Sequence, residues 1–148
     1  MIWLVKKFNE LTLDELHDIL QLRIDVFVVE QNCSYQEVDS KDKHAFHLFC
    51  KNKQDKIIAY TRFFKPGDYY KEAALGRVVV HKEFRNQKLG FQLLERTLLA
   101  IKENLGEVSI KIGAQTYLKK FYISFGFQQL GEEYIEDGIP HIYMLKPI

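Results

Sequence analysis

The sequence is poor in the residues that would make it a stapled, fibrous or membrane-spanning chain. Its 148 residues include two cysteines, three prolines and one tryptophan. Cys33 and Cys50 are too few for a disulfide framework and show neither CxxC nor Cys/His spacing, so reduced thiols are expected and no metal site. Three prolines and eight glycines exclude a collagenous or low-complexity chain. Neither charge dominates: 21 Lys and Arg stand against 20 Asp and Glu, a formal net charge of +1, and no global field draws the chain to nucleic acid or an anionic membrane. No apolar run approaches the ~20 residues of a membrane span. Met1 to Lys7 runs from apolar to basic, the reverse of a secretory leader, which makes a cytoplasmic location the expectation. What is present, 47% hydrophobic, 14% aromatic and 28% charged residues, is the composition of one packed domain over residues 1–148.

Periodicity divides this domain into alternating elements. Residues 2–8 read as a strand. Thr12 and Glu15 have capping-box spacing, and Leu13, Leu16, Ile19, Leu20 and Ile24 form an apolar stripe on a helix ending near Val28. From Glu30 to Lys43 the periodicity vanishes, and a polar loop of that length in a compact domain is often functional. Residues 45–50 and 57–64 read as a hairpin, and a strand over 74–81 carries Val78-Val79-Val80, a β-branched run that predicts burial on both faces at mid-sheet. A helix with Leu94, Leu98 and Ile101 on one face then runs to Gly106, and Val108, Ile110 and Ile112 alternate with polar residues as a strand. Thr116 can cap a short helix carrying Leu118, Phe121, Tyr122 and Phe125, and residues 127–145 supply two strands around Asp137-Gly138.

The strand, basic loop and helix over residues 78–101 carry the most chemistry. A helix start exposes unpaired N–H groups and a partial positive charge, which suit phosphate oxygens, and Arg85 and Lys88 add full charges. Gly90 removes a side chain where a pyrophosphate would approach the backbone; the alternative is that it only eases helix–strand packing, with Arg85 and Lys88 solvated.

Phe121-Tyr122-Ile123-Ser124-Phe125-Gly126-Phe127, following a strand and placed after that helix, resembles the FYxxxGF signature of the GNAT superfamily of acyl-CoA N-acyltransferases. Arg85-Asn86-Gln87-Lys88-Leu89-Gly90 is similar to the R/Q-x-x-G-x-G/A loop of that superfamily, with Lys88 in place of its first glycine. That side chain is tolerable if its backbone stays right-handed. The run Arg23 to Tyr35, then Glu37-Val38-Asp39, Asp42, His47-Leu48, Gly76 to Val80 and Gly138 to Ile142, resembles the ElaA branch, and the likeness covers essentially the whole chain.

The resemblance implies a single-domain α/β (α+β) fold: a central, mixed, mostly antiparallel sheet, splayed near Val80 and flanked by helices. It also implies direct acetyl transfer from acetyl-CoA to an amine in a ternary complex, without metal. Carried over residue by residue, the backbones of Val78 and Val80 would hold pantetheine. The amides of Gln87, Lys88, Leu89, Gly90 and Phe91 would take the pyrophosphate beside Arg85, with Gln115 completing the cofactor set. Tyr122 would be the general acid for the departing thiolate, and without the motif it reads as a core aromatic.

For the acceptor, Glu37, Asp39 and Asp42 can gather a cationic amine, with Glu30 just before them, or form a solvated loop balanced by Lys41 and Lys43. His47 and His141 titrate in the range for proton relay or are structural. Arg77, in an otherwise apolar strand, needs a carboxylate such as Glu37 or Asp39. The candidate partners are a small-molecule or peptide amine and, as a homodimer, a second copy of the chain; nucleic acid and membrane are not expected. Two rival readings stand beside transfer to an amine. Arg23, Phe27, Glu37, Asp39 and Asp42 also resemble the pattern of acyl-homoserine lactone synthases, and a non-catalytic acyl-CoA-binding module would keep the same cofactor loop.

Overall fold

Thr12 opens the first helix as its spacing predicts: its Oγ1 accepts from the Glu15 N–H at 3.0 Å while the Glu15 carboxylate accepts from the Thr12 N–H at 2.9 Å. The computed structural model describes Met1–Ile148. In chain order it contains β1 (Ile2–Lys7), α1 (Leu13–Ile24), β2 (Phe46–Lys51), β3 (Ile57–Phe64), β4 (Ala73–Val80), α2 (Leu89–Leu105), β5 (Ile110–Gln115), α3 (Lys119–Ile123), β6 (Gln128–Glu136) and β7 (Ile139–Lys146). A π-helical turn over Asp25–Glu30 continues α1, and a short 3₁₀ turn over Ser40–His44 closes the loop that follows.

The strands form one seven-stranded sheet in the order β1-β2-β3-β4-β5-β7-β6. Every neighbouring pair is antiparallel except β4 and β5, which run parallel and pair only at Ala73–Ile110 and Ala74–Lys111. Beyond Ala74 the two strands diverge. The splay expected near Val80 therefore begins five residues earlier and frees Leu75 to Val80 along one wall and Ile112 to Gln115 along the other.

A bulge in β4 accompanies the divergence. Tyr60 pairs with Val79 and Arg62 with Gly76, so Thr61 faces both Arg77 and Val78, and Arg77 adopts φ +55°. The Thr61 hydroxyl donates to the Gly76 carbonyl at 2.8 Å, occupying an acceptor that the interrupted ladder leaves open. As a result Val79 is buried, whereas Val78 and Val80 are only half-buried: the run expected to be covered on both faces borders a cavity instead.

Two cores flank the sheet. On one face α2 and α3 bury Leu89, Leu93, Leu94, Ile101, Tyr122 and Phe127 with Leu48, Ile58, Phe63, Ile112 and Met144. On the other, Ile19, Leu22 and Val26 meet Phe49, Ile57, Tyr60 and Val79. The apolar stripe expected on α1 is thus rotated, for Leu13 is 87% exposed while Glu15 and Arg23 turn inward. Both find charged partners there, Glu15 with Lys6 and Lys51 and Arg23 with Glu37 and Asp42, so the inward face of α1 carries paired charges beside Ile19 and Leu22.

Candidate active site

The splay and the start of α2 enclose a cavity of about 740 Å³. Its walls are Leu75–Val80 on β4 and Ile112–Gln115 on β5, its floor includes Phe121 and Tyr122, and the residues after α1 with the β6–β7 turn close its far side.

At one end lies the basic loop. Asn86 and Lys88 both adopt left-handed backbone, at φ +68° and +58°. The right-handed backbone that would make a side chain at Lys88 easy is therefore not met: the chain reverses sharply to enter α2, and a left-handed residue at the N-cap makes that reversal at a cost of about 1–2 kcal/mol for a side chain-bearing residue. No side chain caps the helix, and no acidic residue stands in its first turn, so the amides of Leu89, Gly90 and Phe91 carry the helix's positive end uncompensated. A Cβ added at Gly90 would meet nothing within 4 Å, and Gly90 lines the cavity. Packing against the sheet therefore does not explain the glycine, which leaves the backbone open to the cavity. Gln87 is exposed and does not line the cavity; Arg85, Lys88, Leu89, Gly90, Phe91, Val78, Val80 and Gln115 do.

Arg85 is not a free charge. Its Nη1 binds Glu30 at 2.7 Å and its Nε donates to the Val80 carbonyl at 3.1 Å. Glu30 thus sits at the phosphate-type end of the cavity rather than among the acidic residues of the following loop. Gln115 donates to the Gln31 side chain at 3.3 Å, and the Cys33 thiol donates to the Asp137 carbonyl at 3.5 Å, so the segment after α1 is tied across the cavity at two points.

Tyr122 is 5% exposed and packs edge-on against Phe121 and Phe127 at 5.2 and 5.7 Å. It lines the cavity, and no protein group hydrogen-bonds its hydroxyl. Burial pushes its ionisation well above the usual phenol range, which keeps it a proton donor.

The acidic loop turns away from this space. Glu37 Oε2 accepts from Arg23 Nε and Arg77 Nε, both at 2.7 Å. Asp42 Oδ1 accepts from Arg23 Nη1 at 2.8 Å and Arg62 Nη1 at 2.7 Å, and Asp39 takes a bidentate contact from Arg62. Three carboxylates meet three arginines, with Arg23 0% exposed, and none of Glu37, Asp39 and Asp42 lines the cavity. The expectation that these residues gather an acceptor is corrected on this geometry: a buried guanidinium requires an anionic partner, and that need consumes all three charges. Arg77 finds the partner anticipated for it. His47 is likewise internal, donating through Nε2 to the Asp42 carbonyl at 2.9 Å and accepting through Nδ1 from the Tyr60 hydroxyl at 2.7 Å. Burial lowers its pKa, so it stays neutral and takes no part in the cavity.

His141 does line the cavity. Its Nδ1 lies 2.7 Å from the Ile139 carbonyl, which can only accept, so Nδ1 carries a proton and Nε2 is the nitrogen with the lone pair whenever the ring is neutral. Nε2 stands 3.6 Å from the Glu136 carboxylate, and the ring stacks on Tyr134. Glu136, Asp137, Tyr35, Asn86 and Gly113 also line the cavity and were not singled out from sequence. The signal for the first two was their place beside a two-residue turn, and for Gly113 its interruption of the strand after Ile110 and Ile112.

A parallel pair opened into a cleft, with an uncapped helix start at one end and a buried phenol at its floor, defines the architecture of a CoA-dependent acyltransferase. The chain belongs to the GNAT acetyltransferase family, whose acetyltransferase domain matches residues 15–147. It is 40% identical over 147 residues to protein ElaA of Escherichia coli K12, covering 99% of this chain and 96% of ElaA. The crystal structure of an acyl-CoA N-acyltransferase from Pseudomonas aeruginosa superposes with a TM-score of 0.93 at 39% identity, covering 99% of each chain. That of E. coli ElaA gives 0.91 at 39% identity over 98% of each. A CoA-dependent acyl-homoserine lactone synthase, BjaI, shares the fold alone, with a TM-score of 0.79 at 18% identity over 97% of this chain and 82% of that one.

Proposed function

We propose that the protein transfers an acetyl group from acetyl-CoA directly to an amine. The observation that carries this reading is the continuity of the cavity from the uncapped start of α2, along the freed edge of β4, to the hydroxyl of Tyr122. The pyrophosphate lies on the amides from Lys88 to Phe91, and pantetheine lies along Val78 and Val80, with its thioester between β4 and β5. A side chain at position 90 would stand where the phosphates approach.

An ammonium cannot attack, because its nitrogen has no lone pair and its ordinary pKa is about 10.4. In the neutral ring His141 offers Nε2, beside Glu136, to take that proton directly or through water. The neutral nitrogen then attacks the thioester carbonyl carbon. The C–N bond forms and the C–S bond breaks. The leaving thiolate takes its proton from the Tyr122 hydroxyl, which has no competing protein acceptor, and the second proton shed by the nitrogen as it becomes an amide returns to the phenolate directly or through water. Metal plays no part in this sequence of steps.

Incubation with acetyl-CoA and a panel of amines, following free thiol and acetylated product, tests the reading. Amine-dependent thiol release supports it. Binding of acetyl-CoA without transfer to any amine would replace it by an acyl-CoA-binding module, and transfer only to S-adenosylmethionine from an acyl donor by a lactone-synthase reaction.

A further inference from the structure

Beside the main cavity lies a second, smaller one of about 80 Å³, whose lining includes Arg62, Tyr70, Gly113, Tyr134 and Glu136. Leu75, Gly76, Arg77, Gly113 and Glu136 line both, so the two spaces meet where β4 leaves β5. The junction depends on Gly113. A Cβ there would stand 2.8 Å from the Tyr134 hydroxyl and 3.6 Å from that of Tyr70, so the missing side chain is what lets two phenol hydroxyls converge at the join.

The charges of the smaller cavity are arranged in order. Glu136 is at the junction, and no lysine or arginine pairs with it; its near neighbour is His141. The other polar side chains of the lining, Arg62, Arg77 and the tyrosine hydroxyls, can all donate. Arg62 is 1% exposed and spends its Nη atoms on Asp39 and Asp42, but its Nε–H is buried without any partner. A buried guanidinium N–H left unpaired is costly, and a carboxylate or a water removes that cost. Nearby, Lys111 Nζ lies 4.8 Å from the Tyr70 ring and 4.6 Å from the Tyr143 ring, adding positive charge beside Tyr70.

We propose that this smaller cavity is the seat of the acceptor's carboxylate and that the acceptor is an α-amino acid. Its carboxylate takes hydrogen bonds from Arg62 Nε and the Tyr70 and Tyr134 hydroxyls, and its amine lies at the junction beside Glu136, facing the thioester. Only two bonds separate the amine nitrogen from the carboxylate carbon in such a molecule, which matches a donor-lined pocket opening directly onto the reaction space. The products are an N-acetyl amino acid and CoA thiol, formed by the same exchange of C–S for C–N bond as above. This assignment rests on the acyl-transfer reading.

The test uses matched pairs that differ only in the carboxylate: lysine and cadaverine, tyrosine and tyramine, leucine and isoamylamine, each as acceptor with acetyl-CoA. The expected result is a kcat/KM at least about tenfold higher for the carboxylate-bearing member of an accepted pair, the value of one hydrogen bond to a charged group. Tyr70→Phe keeps the ring and should reduce that ratio about tenfold. Gly113→Ala, which crowds the Tyr134 hydroxyl, should reduce it further. Equal kcat/KM within pairs, or an amino acid amide used as well as the free acid, would overturn the carboxylate seat and leave Arg62 Nε to a bound water, while acyl transfer itself would stand. No transfer to any member, with acetyl-CoA still bound, would instead remove the acyl-transfer reading beneath it.

Discussion

Asp42→Asn should be among the most damaging single substitutions in the molecule, although it lies outside the cavity. Asp42 Oδ1 accepts from both Arg23 and Arg62, and its second oxygen has no partner. Asparagine can keep one accepting oxygen in place and put its amide where no group was bound before, so shape and hydrogen-bond count hardly change. What changes is charge: Arg23, Arg62 and Arg77 would face Glu37 and Asp39 alone. Breaking a buried ion pair by removing one partner costs about 3–5 kcal/mol, a large share of the ~5–15 kcal/mol that holds a typical domain folded. For a chain of this size each kcal/mol moves the midpoint by about 2–4 °C, so a fall in Tm of roughly 6–20 °C is expected by calorimetry, with urea denaturation giving the free energy. Asp39→Asn, at the more exposed edge of the same network, should cost distinctly less. A loss below about 1 kcal/mol for Asp42→Asn, or intact stability with a raised acceptor KM, would refute the scaffold role and return Asp42 to acceptor recognition.

Tyr122→Phe removes a hydroxyl that no protein group binds, so stability should change by less than about 0.5 kcal/mol, while kcat falls by about 10²-fold, the lower end for a general acid because water can reprotonate the thiolate. Turnover within about twofold of the parent would leave Tyr122 as a packing residue. Arg85→Glu sets a carboxylate against Glu30 at the start of α2 and should weaken acetyl-CoA binding at least about tenfold by calorimetry; equal affinity would move the phosphates elsewhere. Burial alone would raise the Glu15 pKa, but the Thr12 N–H and the Lys6 and Lys51 ammoniums outweigh it and hold the carboxyl at about 2, against an ordinary 4.5. Because the folded-state value is depressed, this stabilisation is full above pH 4.5 and drains away as the pH falls toward 2. Glu15→Gln should flatten that part of the Tm-versus-pH curve, and an unchanged slope would show that the contact does not contribute.

Local signals were sufficient for most of the fold. The Thr12–Glu15 capping box, the polar turn between β2 and β3, the glycine after α2 and the Asp137-Gly138 turn each act within a few residues, so the chain order of strands and helices was legible without knowing what packs on what. The motif around Tyr122 and the basic run before Gly90 likewise carried the family and the uncapped helix start at one end of the cavity, because such a start is built from consecutive backbone amides.

Tertiary structure decided what depends on contacts between distant segments. Whether Glu37 and Asp42 face a ligand or an arginine turns on Arg23, 14 and 19 residues before them, and on Arg77, 40 residues after Glu37. A polar loop reads the same in sequence either way. The α1 face that turns inward carries Ile19 and Leu22 together with Glu15 and Arg23, whose distant partners its apolar spacing does not reveal, and the left-handed turn at Lys88 belongs to the entry into α2. The join of two cavities at Gly113 exists only because β4 leaves β5 after two paired residues and the tyrosines of β6 and of the segment before β4 converge over it. Backbone propensity and short-range pairing are properties of neighbouring residues and can be read along the chain. The burial of a charge and the pairing that makes it tolerable are properties of a place in space, which the fold creates.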